Sequence, residues 1–191
     1  MRCLVVADLH YSLPQFDWLL SAAPQFDLVI FAGDALDVGS FVDFRAQILV
    51  VKKYLALLAG VTRVILCSGN HDLDERSPEG EKISRWIGEV RELGVACDGD
   101  SLTIGDTFFT VCPWWDGPLV KQRIEDQLRE AAPGRLKRWI WVHHAPPPAG
   151  RAETMPHPQT RKPLSPTLRA PSRYGAGGAE RTFHRVRLRA P

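Results

Sequence analysis

The chain has 191 residues, 45% of them hydrophobic and 24% charged, a balance that suits a globular protein and excludes fibrous and wholly disordered classes. Its formal net charge of +2 conceals a division: residues 1–150 carry 15 Lys/Arg against 20 Asp/Glu (−5), and residues 151–191 carry 9 against 2 (+7). The pI of about 8.4 is therefore no argument for nucleic-acid binding by the first 150 residues, because the basic charge sits in the last 41.

The N-terminal MRCLVVADLH is a short apolar run broken by Asp8, unlike a signal peptide, and no stretch reaches the 18 apolar residues of a membrane span. Cys3, Cys67, Cys97 and Cys112 lie 64, 30 and 15 positions apart, without the close pairs of zinc or redox motifs. Buried, reduced thiols in a cytoplasmic protein are the expectation.

Short β-branched runs alternate with segments of helical period, which predicts an α/β fold. Strands are expected at residues 2–7, 27–32, 63–68, 106–112 and 138–143, with a shorter one at 101–104. A helix opening on Pro14 is expected over 14–22, and a longer apolar one over 40–58, ending near Gly60. Over 78–93, Ser77 caps and Pro78 opens a helix whose Ile83, Trp86, Ile87, Val90 and Leu93 share one face, with Gly94 as the stop. A fourth helix, 118–131, spaces Val120, Ile124 and Leu128 four apart.

After Ala145 neither period persists, and isolated apolar residues stand among Arg, Pro, Gly and Ala. The expected organisation is a folded domain over 1–150 followed by a basic, disordered tail over 151–191. The abrupt composition break fits a truncated or out-of-frame C terminus, and a genuine basic extension is the alternative. Truncation would leave strand edges unpaired and favour association.

Polar residues gather at the carboxyl ends of the predicted strands: Asp8-Leu9-His10, Gly33-Asp34-Ala35-Leu36-Asp37, Gly69-Asn70-His71-Asp72 and His143-His144-Ala145-Pro146. In an open α/β sheet those ends share one edge, where such folds build ligand sites. Each group has an ordinary explanation alone: Asp as a helix cap, and Gly-Asp and Gly-Asn as turns that tolerate positive φ. Four together are different, since carboxylate, imidazole and amide-oxygen donors suit Mn, Fe or Zn.

These motifs resemble the calcineurin-like metallophosphoesterase superfamily, whose pattern runs D-x-H, G-D-x-x-D, G-N-H-D, a later His and a final G-H-x-H. The resemblance covers residues 1 to about 148 and implies an α/β/β/α sandwich, here C-terminally incomplete because no G-H-x-H occurs. It implies a phosphate mono- or diesterase that uses two divalent metal ions, with Asp8 and His10 on one, Asp34 bridging, and Asn70 with His144 or His143 on the other. His71 would act on the leaving oxygen, oriented by Asp37 or a backbone carbonyl, and Asp72 would fix the loop. The implied substrate is a phosphate-ester small molecule or nucleotide, and no membrane partner is expected. The competing reading is an inactive phosphoesterase fold that binds anionic partners through its basic tail. Trp114 and Trp115 form an aromatic wall beside the site, or else belong to the core or a lid hinge.

Overall fold

The computed structural model describes residues 1–131 and 138–144, so the readings made for the tail lie outside the described residues. In chain order the elements are β1 (Cys3–Val6), α1 (Leu13–Ala22), β2 (Leu28–Ala32), α2 (Phe44–Ala59), β3 (Arg63–Cys67), β4 (Glu75–Arg76), β5 (Lys82–Ile83), α3 (Arg85–Glu89), β6 (Ala96–Cys97), β7 (Ser101–Ile104), β8 (Thr107–Val111), α4 (Pro118–Glu130) and β9 (Arg138–Val142).

Two sheets result. β1, β2, β3 and β6 form a parallel sheet in that spatial order, with Cys3 opposite Leu28 and Leu28 opposite Arg63. β7, β8 and β9 form a second, with β7 antiparallel and β9 parallel to β8. The strict alternation of the first sheet sorts its side chains by parity. Leu4, Val6, Val29, Phe31, Val64 and Leu66 face α1, α2 and α3. Cys3, Val5, Leu28, Ile30, Ile65 and Cys67 face Ile104, Phe109, Val111, Ile140 and Val142 of the second sheet. Val120 and Ile124 of α4 pack on Cys112, with Ile83 and Trp115 alongside. The layers are therefore helices, sheet, sheet and helix, the mixed α/β sandwich that the motifs imply. All four cysteines are unpaired; Cys67, Cys97 and Cys112 are buried and Cys3 is half-buried.

Two predicted helices begin later than expected. α2 starts at Phe44 because Asp43 accepts hydrogen bonds from the amides of Arg45 and Ala46 (3.0 and 3.2 Å), which leaves residues 40–43 in a loop. The helix expected over 78–93 does not form across its first half. Residues 75–83 fold into a hairpin, with Glu75 opposite Ile83 and Arg76 opposite Lys82, and Ser77 donates to the Glu81 carbonyl (2.8 Å) instead of capping. Asp74, not Ser77, serves the helix start, accepting from the amides of Arg85 and Trp86 (2.6 and 3.4 Å). The reason is tertiary. Glu81 is drawn to the start of α4, where its carboxylate accepts from the amides of Leu119 and Val120 (2.8 and 2.9 Å), two donors that an isolated helix leaves unpaired. The predicted apolar face survives in part: Trp86, Ile87 and Val90 are buried with Leu93 against the same cluster, whereas Ile83, in β5, packs beside α4 instead.

Candidate metal centre

Register brings the first three motifs together. Val6 lies opposite Phe31 and Phe31 opposite Leu66, so the segments that follow the strands leave the sheet side by side. The β1 segment continues along the β2 segment through hydrogen bonds from the amides of Asp8 to Gly33 O (3.2 Å), His10 to Asp34 O (3.0 Å) and Tyr11 to Ala35 O (3.0 Å). Four non-glycine residues here adopt left-handed backbone: Asp8 (φ 56°), His10 (φ 43°), Tyr11 (φ 53°) and Asp34 (φ 56°). Each costs about 1–3 kcal/mol and persists only where surrounding contacts over-determine it.

Asp72 is one such determinant. It is fully buried, and its carboxylate accepts from the amides of Asp34 (2.8 Å), Leu36 (3.0 Å) and Gly69 (2.8 Å), tying the ends of β2 and β3 to one point. Its carbonyl accepts from Ser84 Oγ (2.7 Å) and Trp86 Nε1 (2.9 Å), which links α3 to the same point. Burial pushes the Asp72 carboxyl up to about 7, against the three amides that favour its ionised form.

Two glycines make room. A Cβ on Gly69 would overlap Asp34, and one on Gly33 (φ 86°) would meet the His144 ring at 2.5–2.6 Å. The expected turn after β3 exists, with the Asp72 amide donating to Gly69 O (3.2 Å), yet neither Gly69 nor Asn70 has positive φ. Glycine is required at 69 for the close approach of Asp34, not for its backbone freedom.

The side chains converge on Asp34, which is 3% exposed. Ligand atoms of Asp8, Asp34 and His144 all lie within 4.8 Å of one another. His10 Nε2 is 3.8 Å from both Asp8 Oδ1 and Asp34 Oδ2. Asp34 Oδ1 accepts from the His71 amide (2.9 Å), and the exposed Asn70 precedes that residue in the turn. His144 follows β9 of the second sheet, so the four strand ends belong to two sheets rather than to one edge. Its Nδ1 lies 2.7 Å from Ala32 O, to which it donates, and its Nε2 lies 3.3 Å from Asp34 Oδ2. Burial disfavours charge on this imidazole, but Asp34 and the carbonyl prevail and lift it to about 9. Burial likewise opposes ionisation of Asp34, and the hydrogen bonds from His144 and the His71 amide hold it below the usual carboxylate range.

His143 points elsewhere. Its Nδ1 lies 3.3 Å from Cys112 O, its ring stacks on Trp115 (4.8 Å, 10°), and its buried Nε2 has no hydrogen-bond partner among the described residues. Burial pushes its pKa down. A second cluster joins His10, Asp37 and His71, again with ligand atoms within 4.8 Å. The rings of His10 and His71 meet edge to face at 4.5 Å. Asp37 Oδ1 is 3.8 Å from His71 Nδ1, beyond hydrogen-bond reach, whereas the Val38 amide donates to that nitrogen at 3.4 Å. Trp114 stands beside His144 (5.7 Å between rings) and its amide donates to Ser68 Oγ (2.8 Å), which puts it at the site's edge; Trp115 packs against the α4 cluster.

Gln47 was not singled out in the sequence. It occupies the buried stripe of α2 with Val51 and Leu55, and is 1% exposed. It accepts from the Asp37 amide (2.9 Å) and donates to the carbonyls of Asp37 (3.0 Å) and Val42 (2.9 Å). A polar residue in an otherwise apolar stripe is a signal that a backbone partner awaits it.

Carboxylates and imidazoles gathered within 4.8 Å, with His144 Nδ1 tied to a carbonyl so that Nε2 faces Asp34, form a donor set suited to divalent cations. No curated protein matches the chain. Among solved structures, it is similar to the Pseudomonas putida nuclease MPE, at 20% identity and a TM-score of 0.35 over 58% of this chain and 52% of that one. The chain thus spans about half the length of that protein. The calcineurin-like phosphoesterase family model matches residues 1–169, most of the sequence, and the chain belongs to that family.

Proposed function

We propose that the chain is a dinuclear metal-dependent hydrolase of phosphate mono- or diesters. The observation that carries this reading is the buried Asp34, whose carboxylate is approached by Asp8, His10 and His144 and held from behind by the His71 amide. One oxygen of that carboxylate, Oδ2, is approached by both imidazole nitrogens, which would suit it to be shared between two cations. Asp8 and His10 would hold one ion and Asn70 with His144 the other, Asp34 serving both; Mn, Fe and Zn match these donors. When bound, such ions neutralise the phosphoryl group and lower the pKa of a bound water.

The protein's own groups supply the rest. The Val38 amide facing His71 Nδ1 leaves Nε2 as the N–H of the neutral ring, and His71 would donate it in a hydrogen bond that stabilises charge on the leaving oxygen. Asp37 stands 3.8 Å from the same nitrogen, beyond hydrogen-bond reach, and would act on the ring only at longer range. Asp72 acts as a positioning residue, because it sets the backbone that presents Asp34. His143, turned towards Cys112 and Trp115, would take no ion.

The test is hydrolysis of 4-nitrophenyl phosphate and bis(4-nitrophenyl) phosphate by the full chain. Turnover should require added Mn, stop with a chelator, and vanish in Asp34→Ala with the fold retained by circular dichroism. Metal-independent turnover, or an Asp34→Ala variant as active as wild type, would reject the reading.

A further inference from the structure

Beside the candidate metal centre, a run of hydrogen bonds crosses from the first sheet to the second. The Arg91 guanidinium donates to the Asp98 carbonyl and, through Nε, to Asp100 Oδ1 (2.9 Å), which holds the turn after β6. Asp98 Oδ1 accepts from the amide of Ser68 (2.9 Å), directly after β3. Ser68 is 1% exposed, and its Oγ accepts from the amide of Trp114 (2.8 Å), which follows β8 of the other sheet. A hydroxyl buried where two sheets meet needs a partner, and here the partner is the Trp114 backbone. The Cys112 amide donates to Val142 O (2.9 Å), so the segment that carries Trp114 leaves the second sheet beside the one that carries His144.

The ring placed in this way lies outside the apolar clusters of the described residues. Half-buried, the Trp114 indole meets Trp115 (6.2 Å between rings, 15°) and His144 (5.7 Å, 57°). A single hydrogen bond, from Nδ1 to Ala32 O, does not by itself fix the plane of the His144 imidazole. Two flanking contacts do: the Gly33 backbone, so close that an added Cβ would lie 2.5 Å from the ring, and the Trp114 indole. We infer that Trp114 is a positioning residue that holds the His144 imidazole with Nε2 towards Asp34, and that Ser68, itself held by Asp98, sets Trp114 in place. This rests on the phosphoesterase reading above. An ion taken by His144 would gain affinity from a ligand that is already oriented.

The test reads ion binding rather than turnover, from the electron paramagnetic resonance signal of free Mn as Mn is titrated into the full chain. Wild type is expected to hold two ions. Trp114→Ala should weaken one of them about tenfold, as loss of a group that orients a ligand does, and leave the other within about twofold. Trp114→Phe, which keeps a ring at the contact, should restore most of that affinity. Ser68→Ala, which leaves the Trp114 amide without its acceptor, should weaken the same ion about threefold. In a His144→Ala background Trp114→Ala should add nothing, because the ligand it orients is gone. Unchanged affinities in Trp114→Ala, both ions weakened alike, a Trp114→Phe variant as weak as Trp114→Ala, or a loss that recurs in full without His144 overturns the inference. If Trp114→Ala does not fold, Ser68→Ala decides alone, and unchanged affinities there overturn it. Asp34→Ala separates the two readings: Mn binding that survives this substitution rejects the metal centre itself, and absence of Mn binding by wild type overturns both.

Discussion

The two ends of the parallel sheet differ in what occupies them. At the amino end, a cavity of about 1190 Å³ is lined by Met1, Cys3, Arg63, Gly105, Thr107 and Arg138 among others. It is roomy, and glycines such as Gly105 have open space where a Cβ would sit. At the carboxyl end there is crowding instead: four left-handed non-glycine residues, two glycines with no room for a methyl group, and a buried carboxylate tied to three amides. Strain and donor convergence, more than hollow volume, mark the end where chemistry belongs.

Asp34→Ala should break this contrast most. Removing the shared carboxylate is expected to lower metal-dependent phosphoesterase activity about a thousandfold or more, the several kcal/mol that bound cations supply, as measured by kcat/KM with an aryl phosphate. Asp72→Ala comes next. It leaves the buried amides of Asp34, Leu36 and Gly69 without their acceptor. A loss of about 3 kcal/mol in urea unfolding is expected, together with a 10- to 100-fold fall in activity.

A matched pair of glycines sharpens the comparison. Gly69→Ala forces a methyl group onto Asp34 and should cost about 3 kcal/mol with loss of activity. Gly105→Ala, at φ 62° with nothing nearby, should cost only about 1 kcal/mol of backbone strain and leave kcat/KM unchanged. The smallest effect is expected for Arg138→Ala on the rim of the amino-end cavity, with activity within about twofold of wild type. A large loss there would mean that the open cavity takes part in the reaction.

Much of the architecture was legible because its signals are local. The β-branched runs of β1, β2 and β3, and the four-residue spacing of Val120, Ile124 and Leu128 in α4, need no distant partner to be read. The residues after Ser77 were misread for the opposite reason: Pro78 and the capping serine satisfy a helix start, but Glu81 is claimed by the amides of Leu119 and Val120, nearly forty residues away. The two-residue strand β6 is too short to leave a periodic trace, and Asp72 gave no sign of the three amides it would collect.

The sequence by itself determined the candidate donors and their order, since Asp8, His10, Asp34, Asn70 and His71 fall directly after strand-forming runs and motif spacing survives folding. It also determined the family, which those motifs carry. Only the tertiary structure decided that His144 rather than its neighbour His143 faces Asp34, because adjacent residues leaving a strand point to opposite sides and the choice depends on how β9 lies in the second sheet. It likewise decided why Gly69 must be glycine, for a collision between residues 35 positions apart cannot be seen until the chain has folded.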